Sequence, residues 1–499
     1  MTLCATAGFG LLNSLTLGLY LIGTVFLGVW FSRRNRTTAD YFQAGQRVPW
    51  WVVGISMSNV SSISYMSIPA KAFTSDWKIF FTALPILLLA PVVAYGFLPI
   101  LRRLPSASVY AYLEQRFGLG VRLYGAAAFV FFQIGRMALV MFLPALALSA
   151  VTNLDLILCI LLIGTLSALY SAIGGIEGVI WTDFAQTAFL VGAMVLSFVL
   201  IMTRLDGGVG EFVAFASLHE KFRMAEFSSD VSRDVFWVVL VGSLFSQIIP
   251  YLSDQSFTQR YATTQDLKRC SRAIMTNGFL AMINTLMFLL VGTALFVYYQ
   301  KQPAALEGLP GNDAILPFFI ARELPAGVAG VVVAGIFAAA QSALSTALNS
   351  TATVLVTDFF QRLGRPRSDL FWLRTARFLT LALGILAIGL AIVLALVGIE
   401  SAFDTYQRII GLTASGLCGL FLLGMLSRRA NTAGAVIGIM ASILCLYWVQ
   451  SYTSLHVYLY AMVGIVVCAG TGYLASWVFP GQKQVPASPL ISGGNSPSS

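Results

Sequence analysis

The sequence predicts an all-α membrane protein of about thirteen transmembrane helices, arranged as a five-plus-five inverted repeat with two discontinuous helices. Three observations carry that prediction: the composition, the length of the apolar runs, and the polar residues that interrupt two of them. Hydrophobic residues make up 58% of the 499 residues and charged residues only 10%, with a mean hydropathy of +0.82. That balance excludes a soluble core and fits a chain that crosses a bilayer many times.

The apolar runs lie near 8–30, 50–72, 79–101, 122–150, 155–173, 179–203, 234–252, 273–299, 325–358, 371–397, 404–426, 431–450 and 455–479. A bilayer core takes about 20 residues of helix, and each run has roughly that length or more. None shows the period of two expected of barrel strands. The order gives an extra helix and loop over 1–49, a first repeat over 50–203 and a loop over 204–233. A second repeat follows over 234–426, then two helices over 427–479 and a Ser/Pro/Gly-rich tail over 480–499 that reads as disordered.

The net charge of +9 is distributed by side and does not mark a nucleic-acid surface. Alternating loops collect Arg33, Arg34, Arg36, Arg102, Arg103, Arg260, Lys268, Arg269, Arg272, Arg362, Arg365, Arg367, Arg428 and Arg429, whereas the opposite loops carry few lysines and arginines. This positive-inside pattern predicts a bacterial inner-membrane protein with its N-terminus outside and its C-terminus in the cytoplasm. The first run has no basic segment before it and positive charge after it, so it reads as a retained span rather than a cleaved signal. Six scattered cysteines form neither a disulfide framework nor a zinc motif.

Two runs are interrupted. GISMSNVSSIS, Gly54 to Ser64, places hydroxyls and an asparagine in the second, and SQIIPYLSDQS, Ser246 to Ser256, places Pro250 and Asp254 in the seventh. Proline removes a backbone donor and crowds the preceding turn, so the seventh helix should kink or open near Pro250. Each break falls in the first helix of its five-helix block, and broken helices in corresponding positions point to a midplane binding site in secondary transporters. The alternative is that small residues simply let neighbouring helices approach.

A further polar face lies in the ninth run, where Ser342, Ser345, Thr346 and Asn349 follow helical spacing. Such oxygens suit a small hard cation, although serine and threonine commonly return their hydroxyls to the preceding turn. Intramembrane charge is rare here: Arg136 in the fourth run, Asp183 at the start of the sixth, and Asp404 with Arg408 in the eleventh. Asp404 and Arg408 can pair at i, i+4 near the outer surface. Arg136 has no local partner, and a guanidinium facing a polar cavity suits a carboxylate.

GGIEGVIWTDFAQ (Gly174 to Gln186), the DQSFTQRY run ending at Tyr261, and AAAQSALSTALNS (Ala338 to Ser350) resemble signatures of the sodium/solute symporters. MSIPAKAFTSDW, QIGRMAL and GGIEGVIWTD are similar to the bacterial sodium-coupled sialic acid branch, and the likeness runs over nearly the whole chain. The resemblance implies a LeuT-like fold and carries roles over by position. Ser61 and Ser64 match hydroxyls that touch substrate, with Asn59 and Gln247 in the same pocket, and Arg136 matches the arginine that grips the acid's carboxylate. Met57, Val60, Ala339 and Ser342 match the common sodium site, and Asp183 with Ser342, Ser345 and Thr346 an additional one. Ala343 stands where the common site has a second hydroxyl, and Ala83 where the sialic acid carriers have a pocket glutamine.

The function expected is sodium-coupled import of a small anionic sugar, a sialic acid, by a lipid-embedded monomer that moves one or two sodium ions per cycle. A symporter of the same fold for another carboxylate or a uronic acid, including a proton-coupled one, remains open, as does a solute sensor that does not transport. An enzyme is disfavoured, because the two histidines, His219 and His456, fall in or beside outer loops and no nucleophile with a partnered base is visible.

Overall fold

The structure, a computed structural model, describes residues 10–32, 36–58, 62–104, 106–152, 154–307, 309, 311–325, 327–397 and 402–479. The polypeptide there is helical almost throughout. Helix α1 spans Leu11–Ser32, α2 Trp50–Met57, α3 Ser62–Thr74 and α4 Lys78–Leu101, and α5 covers Leu119–Thr152. Helix α6 follows over Leu156–Thr203, α7 over Phe236–Leu252, α8 over Gln255–Tyr261 and α9 over Leu267–Lys301. The series ends with α10 (Val328–Leu363), α11 (Asp369–Val397), α12 (Thr405–Leu426), α13 (Thr432–Tyr452) and α14 (Val457–Val478).

Among the described residues ten helices are long and apolar enough to cross a bilayer, and the bent pair α7 and α8 makes an eleventh. Two features bring the total to the expected figure of about thirteen. Helix α6 has 48 residues, which at about 1.5 Å each is twice a bilayer core. It is divided at Gly175, whose φ of 59° and ψ of −164° lie outside helical space, so the fifth and sixth runs are joined end to end without a loop. Only glycine adopts that conformation freely. Helix α2 ends at Met57 and α3 starts at Ser62, and together their 8 and 13 residues have the length of a further crossing; residues 59–61, where the serine-rich stretch predicts a break, lie outside the described set.

The second break differs slightly from expectation. Helix α7 runs through Pro250 to Leu252, and the chain turns by 54° only after Ser253. Asp254 then caps α8, its Oδ1 accepting from the Ser256 amide at 2.7 Å. The carboxylate, not the proline, therefore fixes where the second half-helix begins.

Helix α10 forms the centre, buried along nearly its whole length between α5 and α6. Small residues permit this: Gly330 faces the Asn13 backbone of α1, and Gly335 faces Ala193 and the Tyr65 hydroxyl. Peripheral helices α1, α11 and α13 turn Leu19, Ile385 and Leu444 outward, as a hydrocarbon solvent requires. The side chain of Asp404 is outside the described set, so its pairing with Arg408 is not placed.

Candidate functional site

Both breaks open onto one cavity of about 220 Å³. Met57 and Ser58 from the end of α2, Ser64 and Ile68 from α3, and Thr82 and Ala83 from α4 form one side; Phe132 and Arg136 come from α5, Ser246 and Gln247 from α7, and Asp254 from the second break. Four of the expected substrate residues, Ser64, Ala83, Arg136 and Gln247, thus converge although they are far apart in sequence. Asn59 and Ser61 lie outside the described residues. Gln247 reaches the Thr82 carbonyl at 3.4 Å, which ties the second broken helix to the rim of the first repeat.

Arg136 is not alone, as its local sequence suggests. Its Nη1 lies 3.5 Å from Gln133 Oε1 and 4.0 Å from Asp254 Oδ2. The latter separation balances charge but is too long for a hydrogen bond, so the guanidinium keeps its two-pronged face for a ligand. Asp254 divides its work: Oδ1 holds the Ser256 amide and hydroxyl at 2.7 and 2.5 Å, while Oδ2 faces the arginine. Sequence reasoning also misses Asn284, which lines the cavity and whose Nδ2 has no hydrogen-bond partner among the described residues. A mid-membrane asparagine in AMINTLMF was the available signal.

Deeper in, Asp183 is fully buried and accepts from Ser342 Oγ at 2.7 Å, Ser56 Oγ at 2.9 Å and Thr346 Oγ1 at 3.2 Å. Asp183, Ser342 and Thr346 therefore do meet. Ser345 does not join them through its proton, because its hydroxyl returns to the Ser342 carbonyl at 3.1 Å. Asn349, on the same face, accepts from Gln259 Nε2 at 3.1 Å. These bonds use the Ser345 proton and one Asn349 lone pair, and the Ser345 oxygen keeps its lone pairs.

The main correction concerns Arg260, which the charge pattern assigns to a loop. It is fully buried, and its Nη2 donates to Asp183 Oδ2 and to Thr346 Oγ1, both at 2.7 Å. Nε donates to Ser56 Oγ at 3.0 Å, and Nη1 donates to the Ser256 carbonyl. The carboxylate expected to need a metal cation already has an organic one. Lone pairs on Ser342 and Thr346 remain for an ion, but any ion there shares Asp183 with a guanidinium.

Of the residues expected to form the common sodium site, Met57, Ala339 and Ser342 are buried, and Ala343 follows Ser342 without a hydroxyl. Val60 lies outside the described residues. Because Ser342 donates its proton to Asp183, its oxygen lone pairs point elsewhere, and the same hydroxyl links the two candidate ion positions.

Comparison with known proteins finds relatives that match over nearly the whole chain. The sodium/sialic acid symporter NanT of Aliivibrio fischeri is 37% identical over 94% of this chain and 94% of its own. The sodium/sialic acid symporter SiaT of Proteus mirabilis is 37% identical over 96% of this chain and 97% of its own. The solved structure of a Na+-coupled sialic acid symporter in its substrate-bound outward-open state superposes with a TM-score of 0.91 at 36% identity, covering 96% of this chain and all of that one. The profile of the sodium:solute symporter family matches residues 41–442, and the chain belongs to that family.

Proposed function

We propose that the protein is a sodium-coupled symporter that imports a sialic acid by alternating access. The observation that carries this reading is Arg136, a buried guanidinium at the wall of a cavity between two broken helices, with its counter-charge held 4.0 Å away. Relatives of nearly equal length that carry sialic acid with sodium support it. Substrate carboxylate would take the two-pronged face of Arg136, while Ser61, Ser64, Asn59, Gln247 and Asn284 would meet hydroxyl and amide groups of the sugar. Where Ala83 replaces a glutamine, the sugar is gripped by fewer side-chain groups.

Sodium would bind at the common position formed by Met57, Val60, Ala339 and Ser342, and Asp183 with Ser342, Ser345 and Thr346 would form the second position. Hard oxygen donors are the right ligands for a monovalent cation. Binding at the junction of α2, α3 and α10 would favour the outward-open arrangement and draw the broken helices together over the substrate. The chain would work as a monomer in a bacterial inner membrane, N-terminus outside, with the repeats bounded at 50–203 and 234–426.

Uptake of labelled N-acetylneuraminate into proteoliposomes, with and without an inward sodium gradient, tests this. Accumulation only with sodium is expected. Accumulation driven by a proton gradient alone would indicate a proton-coupled relative, uptake of a uronic acid but no sialic acid would change the substrate, and binding without uptake would indicate a sensor.

A further inference from the structure

A second recess lies away from the transport cavity, at the start of α9. It is a groove of about 840 Å³ that includes Lys268, Arg272, Trp50, Tyr95, Pro99 and Met275 in its lining. From this geometry we infer that the groove is a binding site for one anionic phospholipid, its phosphate held by Lys268 and Arg272 and its acyl chain laid along the apolar wall beneath them.

Chemistry at the mouth is specific. Lys268 and Arg272 are one helical turn apart on the exposed face of α9, and among the described residues neither is ion-paired with a carboxylate. The nearby acid is already engaged: Asp266 caps the Arg269 amide at 2.8 Å and lies 3.3 Å from the Arg269 side chain. The Arg272 guanidinium stands 5.9 Å from the centre of the Trp50 ring, which holds it over the groove. Two cations without an anion, flanked by tryptophan and tyrosine, have the composition of a headgroup site at a membrane interface.

The walls fit a hydrocarbon chain. The π-helical turn Val93–Phe97 in α4 throws Tyr95 outward, and Ser271 Oγ reaches the Ala94 carbonyl at 3.4 Å to close the floor. Continuing down α9 from Lys268 and Arg272, Met275 and Phe279 are exposed on the same face. Lys268 to Phe279 covers about 17 Å of helix, about the hydrocarbon depth of one leaflet. A free phosphate would use the mouth and leave this stripe bare.

The site also touches the transport machinery. Trp50 opens α2, the half-helix that carries Met57 to the cavity, and Gly54 packs on α9 so closely that a Cβ there would stand 2.9 Å from the Ala273 carbonyl. A lipid in the groove therefore braces α2 against α9.

The test uses the full chain purified in a neutral detergent, with lipid binding measured by native mass spectrometry and thermal unfolding, and needs no transport. Phosphatidylglycerol should bind one per chain and raise the unfolding temperature; phosphatidylcholine and inorganic phosphate should do neither. The double variant Lys268→Gln/Arg272→Gln should bind phosphatidylglycerol about thirtyfold more weakly, by the strength of two interfacial cations. Both side chains are exposed, so the core is left intact. A control that removes two exposed cations elsewhere, Arg365→Gln/Arg428→Gln, should bind as the parent does. Equal binding by the first double variant and the parent would overturn the inference, as would equal binding of phosphatidylcholine. Protection by inorganic phosphate alone would show an anion site without a lipid.

Discussion

Asp183 and Arg260 offer the sharpest perturbation. Replacing Asp183 by Asn removes a fully buried charge that accepts from Ser56, Ser342, Thr346 and Arg260, and leaves the guanidinium in a space with no other carboxylate bonded to it among the described residues. Breaking a buried pair on one side typically costs about 3–5 kcal/mol, because the remaining charge is stranded. The double variant Asp183→Asn/Arg260→Gln strands nothing and should recover about 1–3 kcal/mol of that loss as coupling. Thermal unfolding in detergent, with and without sodium, reads both quantities. Arg260→Gln alone frees the carboxylate, so stabilisation by sodium should become stronger than in the parent. An Asp183→Asn variant as stable as the parent, or a double variant whose loss equals the sum of the singles, would refute the pairing. Sodium responses unchanged in all three would confine Asp183 to a structural role.

The remaining expectations follow from the same geometry. Arg136→Lys keeps the charge but loses the fork and should weaken substrate binding by roughly 1–3 kcal/mol in a binding titration; unchanged affinity would remove the carboxylate grip. Asp254→Asn keeps a capping side chain for α8 but removes the charge facing Arg136, so an anionic substrate should bind tighter by about 1–2 kcal/mol, and weaker binding would mean that Asp254 supports the ligand directly. Ala343→Ser adds an oxygen beside Ser342 and should lower the sodium concentration for half-maximal uptake; no shift in a folded variant would mean that the common site is already complete or unused. Outside the membrane, Glu114 bonds Arg362 at 2.5 Å and Arg122 at 2.6 Å, and the Arg362 hydrogen bond, ahead of Arg122, holds its pKa below the ordinary 4.5. Its folded pKa is depressed, so its contribution to stability is complete above pH 4.5 and fades as pH falls below it; Glu114→Gln should flatten that acid-side loss in unfolding scans.

Local pattern made much of this architecture readable. Apolar length located the crossings, and clustered serines located the first break, because hydrocarbon tolerates hydroxyls only where they are paired or face a cavity. Gly174 and Gly175 sat between two runs, but nothing local distinguishes a loop from a backbone reversal at one glycine, so the 48-residue α6 was not foreseen. Arg260 shows a different limit. It closes a short half-helix next to loop residues, which is where a snorkelling arginine also sits, and its partner is 77 residues away. Pairings across the fold, such as Arg136 with Asp254, have no periodicity to betray them. The face of α10 was legible as polar, yet the division of Ser342 and Thr346 toward Asp183, and Ser345 toward its own helix, depends on rotamers that spacing does not determine.

Charge accounting links these pairs to coupling. Among the described residues, the region around the cavity holds two buried arginines, Arg136 and Arg260, and two buried aspartates, Asp254 and Asp183, whose charges cancel before loading. On the proposed function, one sodium ion alone makes it positive, one sugar carboxylate alone makes it negative, and the two together restore neutrality. Opposite unit charges roughly 10 Å apart attract by about 1.7 kcal/mol at an effective dielectric of 20, enough for more than a tenfold effect of either ligand on the other. Linkage requires that effect to be reciprocal, so substrate must tighten sodium as much as sodium tightens substrate. A second sodium ion breaks the balance unless Arg260 withdraws from Asp183. On the proposed function, the buried Asp183–Arg260 pair, more than the missing hydroxyl at Ala343, would therefore set how many ions the loaded state holds.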